Sequence, residues 1–286
     1  IVDMLYPPGR PSTIPIIAIT GTNGKTTTTR LVAHLFRNAG AHVGFTTTDG
    51  IYLGNRLAIE GDMTGPFSAN VILSNPLVDV AVLETARGGI LRSGLGFEEC
   101  DVGIVLNVSD DHLGLGGILT VEQLAAVKSV IPSVVKRNGH AILNADDPLV
   151  LRMRDKTDGD VVLFTTQTTG ANDDYASHVQ KGGIGGRVDR GVFVIERGAL
   201  RIPVCPIGDV PLTFGGAARF QFGNVLAAML AAYVRGMRYT DIRSGLLSFF
   251  PSPSLTPGRL NLIALGRRRV LVDYAHNAAA VSGLLD

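Results

Sequence analysis

Thr20-Gly21-Thr22-Asn23-Gly24-Lys25-Thr26-Thr27 lies between an apolar run, Ile14 to Ile19, and a helix-like run from Thr28 to Ala39. Strand, glycine loop and helix in that order form the setting a phosphate-binding loop requires. Gly21 and Gly24 let the backbone turn tightly and bring its N–H groups close to a phosphate chain. The helix start adds partial positive charge at the same point. Lys25 is then placed to reach terminal phosphates and Thr26 to offer a hydroxyl to Mg²⁺. The loop is shorter than the G-x-x-x-x-G-K-[ST] pattern, because Ile19 stands at the first glycine position. A plain glycine turn capping a βα unit is the competing reading. Against it, four threonines after the lysine make an odd helix start, since Thr is a mediocre helix former. The stretch points to a nucleoside triphosphate.

Outward from the loop, the first half alternates strands and helices. Strand-like runs are Pro15–Thr20, His42–Thr46, Asp79–Glu84, Asp101–Val108 and His140–Asn144. Most are nearly continuous apolar runs, as strands buried on both faces of a parallel sheet must be. Helices are expected at Thr26–Ala39, Pro66–Leu73, Val121–Lys136 and Pro148–Arg154. Thr120 with Gln123 forms a capping box, and Pro148 suits a first helical turn. The pattern is α/β, doubly wound, with a mostly parallel sheet. Residues 166–191 are polar and glycine-rich without a period and read as an irregular insertion. Val192–Glu196 with Leu200–Val204, and Leu260–Leu265 with Val270–Asp273, read as hairpins. Gln221–Arg235 and Asp241–Phe249 read as helices.

The chain has 286 residues, 45% of them hydrophobic and 18% charged, which fits a well-cored globular protein. A net charge of +1 gives no pointer to nucleic acid or an anionic membrane, and no apolar run approaches a membrane span. Cys100 and Cys205 belong to no C-x-x-C pair and are expected as buried thiols in a reducing, cytoplasmic setting. Ile1 in place of Met, a linker-like Pro7-Pro8-Gly9-Arg10-Pro11, and an end at Asp286 suggest a piece of a longer protein.

Other residues carry chemistry-bearing groups. Glu84 ends an apolar strand, and ligands bind outside the carboxyl ends of strands in open α/β sheets, so it could hold Mg²⁺. Asn107 to His112 ends the next strand; His112 is a candidate metal ligand, although Mg²⁺ favours the oxygens of Asp110 or Asp111. Taken alone, each is more often a capping or surface residue, and their shared placement at strand ends strengthens the functional reading. Lys128 stands amid Leu124, Ala125, Val127 and Val130, in a chain with five lysines against 21 arginines. It is either a buried, partnered lysine or one that snorkels to the surface. Arg259 could stabilise charge on a phosphoryl group, and Asp273 could hold ribose hydroxyls.

Together these motifs resemble the Mur ligase superfamily of ATP-dependent amide-forming enzymes. The Gly21–Thr26 loop, Glu84, Asp111-His112-Leu113, Asn144 to Pro148, Asn224 before an alanine-rich helix, Gly258-Arg259 and Asp273 to His276 stand in that superfamily's order. Longer blocks, Thr46–Tyr52, Leu83–Arg92 and Phe214–Phe220, are similar to one branch. In that branch the Mur-like part attaches arginine to the β-carboxylates of aspartates along a growing polymer. The similarity runs from about residue 14 to the end.

The resemblance implies a linker over 1–13, an ATP-binding central domain over 14–273 and the start of a C-terminal ligase domain over 274–286. It implies ATP held by Gly21, Thr22, Asn23, Gly24, Lys25, Thr26 and Thr27. Asn144, Gln221 and Asn224 would surround the adenine side, Arg259 would touch the γ-phosphate and Asp273 the ribose. Two Mg²⁺ are implied, one served by Thr26 and Glu84 and the other by His112. Lys128 falls where many members carry a carbamylated lysine, and with Lys25 and Arg259 it completes the implied catalytic set. The implied partners are ATP, an acidic polymer or peptide, and an amino acid, with arginine suspected. A homo-oligomer is also implied. Two departures are Gln221, where many members have Asn, and Ala278, where proline is usual. A muramyl-type ligase with another amino acid is the alternative within the family; outside it the rival classes are a scaffold with a silent site and a switch or motor NTPase. Against the last, no Asn-Lys-x-Asp guanine-reading motif is present.

Overall fold

The computed structural model describes residues 13–111, 113–167 and 172–285. The strands of the main sheet, in chain order, are β1 Ile16–Thr20, β2 Val43–Thr47, β3 Gly50–Leu53, β4 Arg56–Glu60, β5 Val80–Glu84, β6 Cys100–Val105, β7 Val135–Asn144, β8 Asp160–Thr165, β9 Ile184–Asp189, β10 Val192–Arg197 and β11 Leu200–Pro206. They lie in the order β11-β10-β9-β8-β7-β6-β1-β5-β2-β3-β4. From β9 to β2 every pairing is parallel, and an antiparallel hairpin extends each edge. The doubly wound, mostly parallel sheet is as expected. Chain order reverses around β1, which lies between β5 and β6. That is a topological switch point, where such sheets open a crevice at their carboxyl ends.

Side chains along β1 alternate between two cores. Ile17 and Ile19 join the cluster of Leu31, Leu35, Val225 and Leu226, whereas Ala18 joins Leu124, Ile131 and Leu143 on the other face. Helix α1 (Lys25–Asn38) lies against two helices numbered below, Phe222–Val234 and Tyr239–Ser248. The first presents fully buried Ala227, Ala228, Ala231 and Ala232, and side chains this small permit close helix approach. The opposite face carries α4 (Val121–Lys128), α5 (Val130–Ser133), α6 (Pro148–Leu151) and α7 (Asp173–Gln180). Helices α2 (Pro66–Leu73) and α3 (Arg87–Ser93) flank β5, while α8 (Phe222–Val234), α9 (Tyr239–Ser248) and α10 (Ala278–Leu285) complete the set.

Two local expectations are corrected. The helix expected over Val121–Lys136 stops as α4 at Lys128, resumes briefly as α5, and gives way to β7 at Val135. Pro132 has no N–H to donate to the Lys128 carbonyl, so the helix breaks there. Residues 166–191 are not irregular where described: they contain α7, capped by the Asn172 side chain, and β9. The capping box of Thr120 and Gln123 and the first-turn Pro148 both stand as expected.

Both expected hairpins form. The second, β12 (Asn261–Leu265) with β13 (Arg268–Val272), is a separate two-stranded sheet. Cys100 and Cys205 are buried free thiols, each pushed up to about 12 by burial. Among the described residues no helix is long and apolar enough to cross a membrane.

Candidate active site

A cavity of about 570 Å³ opens at the carboxyl ends of β1, β5 and β6. Its floor is the loop Gly21–Thr27. Asn107, just past β6, braces that loop: its side-chain oxygen accepts from the N–H groups of Thr22 (3.1 Å) and Asn23 (2.8 Å). Its amide in turn donates to the Asn23 carbonyl at 3.0 Å. Gly24 has φ 87° and opens α1. A Cβ there would stand 2.2 Å from Asn224 Oδ1, so only glycine fits both the conformation and the space. The odd run of threonines also has a physical reason. Thr26 and Thr28 point polar atoms inward, Thr26 Oγ1 donating to Glu84 (3.2 Å) and Thr28 Oγ1 to Asn224 (3.1 Å).

Glu84 is 1% exposed. Besides Thr26, the N–H of Thr48 donates to it at 3.3 Å, and Thr26 and Thr48 hydroxyls lie 3.3 Å apart. Burial pushes the Glu84 carboxyl up and the Lys25 ammonium down, while their mutual attraction opposes both shifts. A buried carboxylate beside two hydroxyls suits a hard cation, and Mg²⁺ fits that donor set. Among the described residues no cluster of three or more His, Cys, Asp or Glu could hold a metal unaided.

Two lysines stand at the loop, Lys25 half-buried and Lys128 buried. Lys25 Nζ donates to the Thr22 carbonyl at 2.9 Å. Lys128, 3% exposed, is not a snorkelling surface lysine: it donates to the Gly21 carbonyl at 2.8 Å. Burial, and secondarily the charge of Lys25, drives Lys128 well below the usual lysine range. Asp111 also lines the cavity. His112 lies outside the described residues.

The far wall comes from the chain after α9. Arg259 lines the cavity with its guanidinium carbon 4.3 Å from the Tyr274 ring centroid, a cation–π contact. Asp273 accepts from the N–H groups of Leu260 (2.9 Å) and Ala275 (2.8 Å) and keeps lone pairs for a further donor. Asn277 exchanges two hydrogen bonds with Asn23 of the loop, at 3.2 and 2.9 Å. It also accepts from Ala280 N at the start of α10. Gln221 and Asn224 line the same cavity and are bonded to each other at 2.7 Å. Asn144 does not line it. Its amide donates to the Leu106 carbonyl and its oxygen accepts from Asp146 N, which ties β7 to β6. The structure thus gathers Lys25, Glu84, Lys128, Gln221, Asn224, Arg259 and Asp273 around one space. The sequence reading gave no role to Asn107, Thr48 or Asn277.

The Mur ligase middle domain family matches residues 19–232. The chain belongs to that family. As a Mur ligase middle domain, it is 52% identical over 279 residues to a cyanophycin synthetase of Crocosphaera subtropica, covering 98% of the chain and 32% of that relative. It is also 52% identical over 286 residues to a cyanophycin synthetase of Synechocystis sp., covering all of the chain and 32% of that relative. The chain therefore spans about a third of the length of these relatives. Among solved structures, a bifunctional folylpolyglutamate synthase/dihydrofolate synthase with Mn, AMPPNP and L-glutamate bound superposes with a TM-score of 0.67. That match has 17% identity and covers 96% of this chain and 66% of the other, so it is a likeness of fold.

Proposed function

We propose that this chain is the ATP-binding part of an ATP-dependent amide ligase that adds arginine to the β-carboxylates of aspartates in a polymer. The carrying observation is the convergence of Lys25, Glu84, Lys128, Arg259 and Asp273 on one cavity at the sheet's switch point. The high identity to cyanophycin synthetases favours arginine and an aspartate polymer as substrates. On this reading residues 14–273 bind ATP and 274–286 begin a C-terminal ligase unit.

The reaction has two steps. A substrate carboxylate oxygen bonds to the γ-phosphorus as the bond to the β,γ-bridging oxygen breaks, giving an acyl phosphate and ADP. The incoming amine then attacks the acyl carbon, and inorganic phosphate leaves with formation of the amide. Loop N–H groups cradle the phosphates, and Lys25 and Arg259 offset charge on the transferred group. Thr26 and Glu84 would hold one Mg²⁺, with His112 serving a second; bound there, Mg²⁺ neutralises phosphate charge. Gln221 and Asn224 would stand on the adenine side, and Asp273 would accept from the ribose. Positioning supplies most of the acceleration.

Lys128 is the residue we assign to carbamylation. Its depressed pKa favours the neutral amine, the form whose nitrogen bonds to CO₂ with loss of a proton. Labelled bicarbonate should give a carbamate carbon signal that Lys128→Met abolishes. An unchanged spectrum in that variant overturns the assignment.

The test of the whole reading is ADP release by the full-length gene product with an aspartate-rich primer. Release should depend on arginine and vanish in Lys25→Met. Release driven by another amino acid would make it a muramyl-peptide-type ligase instead.

A further inference from the structure

We propose that Arg30 is a positioning residue that sets the two loops flanking the phosphate end of the cavity in register with each other. The proposal rests on the ligase reading for its kinetic arm only. Arg30 lies on α1, beyond the loop lysine, and is 5% exposed. It lines no part of the cavity, and an arginine is rarely buried without a partner and a task.

Its contacts run in two directions. On one side the guanidinium pairs with Asp49, in the turn between β2 and β3. Asp49 also accepts from Thr47 Oγ1 (2.8 Å) and from the Tyr52 hydroxyl (2.6 Å). The Arg30 guanidinium carbon lies 4.5 Å from the Tyr52 ring centroid and 5.6 Å from that of Phe45. These contacts fix the turn at Thr48, whose N–H and hydroxyl face Glu84 and Thr26. The block Thr46–Tyr52 stood out in the sequence, and this is the structure it builds.

On the other side Arg30 Nη1 donates to the Leu255 carbonyl at 3.2 Å. Leu255 sits in a tight turn in which Thr256 N donates to the Ser252 carbonyl (2.8 Å) and Leu255 N to Ser252 Oγ (3.2 Å). The next bonds of that turn reach Arg259: its N–H donates to the Thr256 carbonyl at 3.0 Å, and its own carbonyl accepts from Thr256 Oγ1 and Asn261 Nδ2. One planar fork therefore joins the turn that carries Thr48 to the turn that carries Arg259. Lysine gathers its donors on one nitrogen and lacks the planar fork that reaches the two turns from separate atoms. The aromatic faces of Phe45 and Tyr52 hold the plane of the fork, so its two directions are not independently adjustable.

The experiment uses the full-length protein and three variants, Arg30→Lys, Arg30→Met and Asp49→Asn, with Val204→Ala on the remote strand β11 as a stability control. Hydrogen exchange is read first and needs no turnover. In Arg30→Lys and Arg30→Met, amides of residues 47–52 and of residues 252–260 should both exchange faster, with β1 unchanged. Asp49→Asn should loosen the first segment more than the second. In the kinetic arm, kcat should fall roughly 10–100-fold, as expected for misplacement of catalytic groups, with KM for ATP within about threefold of wild type. Val204→Ala should lower the melting temperature and leave kcat alone. Arg30→Lys that keeps wild-type exchange in both segments and wild-type kcat overturns the proposal. So does a kcat loss no greater than that of the control. If Arg30→Met does not fold, Arg30→Lys and Asp49→Asn decide. If wild-type enzyme ligates nothing, the ligase reading fails while the exchange result still judges Arg30.

Discussion

Gly24 and Asn224 form one unit although 200 positions separate them. Asn224 Oδ1 occupies the space a Gly24 side chain would take, so the bareness of that position lets the amide brace Thr28 and face the cavity. Gly24→Ala should therefore fail twice, by contact and by its φ of 87°. Binding of an ATP analogue, measured by calorimetry, should weaken about tenfold or more, a change of about 1.4 kcal/mol. His34 offers a residue-scale test away from the cavity. It is hydrogen-bonded to Ser248 and lies beside Arg37, and burial lowers its pKa to about 4. The native state thus resists protonation there while the unfolded chain takes the proton near its ordinary 6.5. That contribution to stability is present above pH 6.5 and is lost as pH falls toward 4. Urea midpoints against pH should show a shallower slope across that window for His34→Asn than for wild type.

At the scale of elements, α4 delivers Lys128 to the loop from its last turn, and its start is fixed by the reciprocal bonds of Thr120 and Gln123. Thr120→Ala should cost about 1 kcal/mol in urea unfolding. The strands around β1 were legible because two-sided burial demands continuous apolar runs, and Ile16–Thr20 and Val80–Glu84 have them. Strand β9 was hidden for the opposite reason. Gly185 and Gly186 stand in it because Tyr175 and Leu230 fill the space above them, so an element built by its neighbours' bulk looked like a loop. The site divided the same way. Lys25, Thr26 and Glu84 announce themselves by local pattern. Asn107, Thr48 and Asn277 act through partners 84, 36 and 254 positions away, and no local period encodes such contacts.

For the whole molecule, the cavity draws on the first loop, on three strand ends and on the last described segment, so occupancy should stabilise the entire fold. At a concentration about 100 times its Kd, a ligand adds about 2.7 kcal/mol. Mg²⁺ with an ATP analogue should raise the melting temperature of wild type and leave that of Lys25→Met nearly unmoved. The paired amides of Asn23 and Asn277 bring one mechanical result with them. Any swing of the chain beyond β13 must either drag the tip of the glycine loop along or let go of it. An occupant that displaced the loop tip would thus be felt at Asn277 through these two bonds.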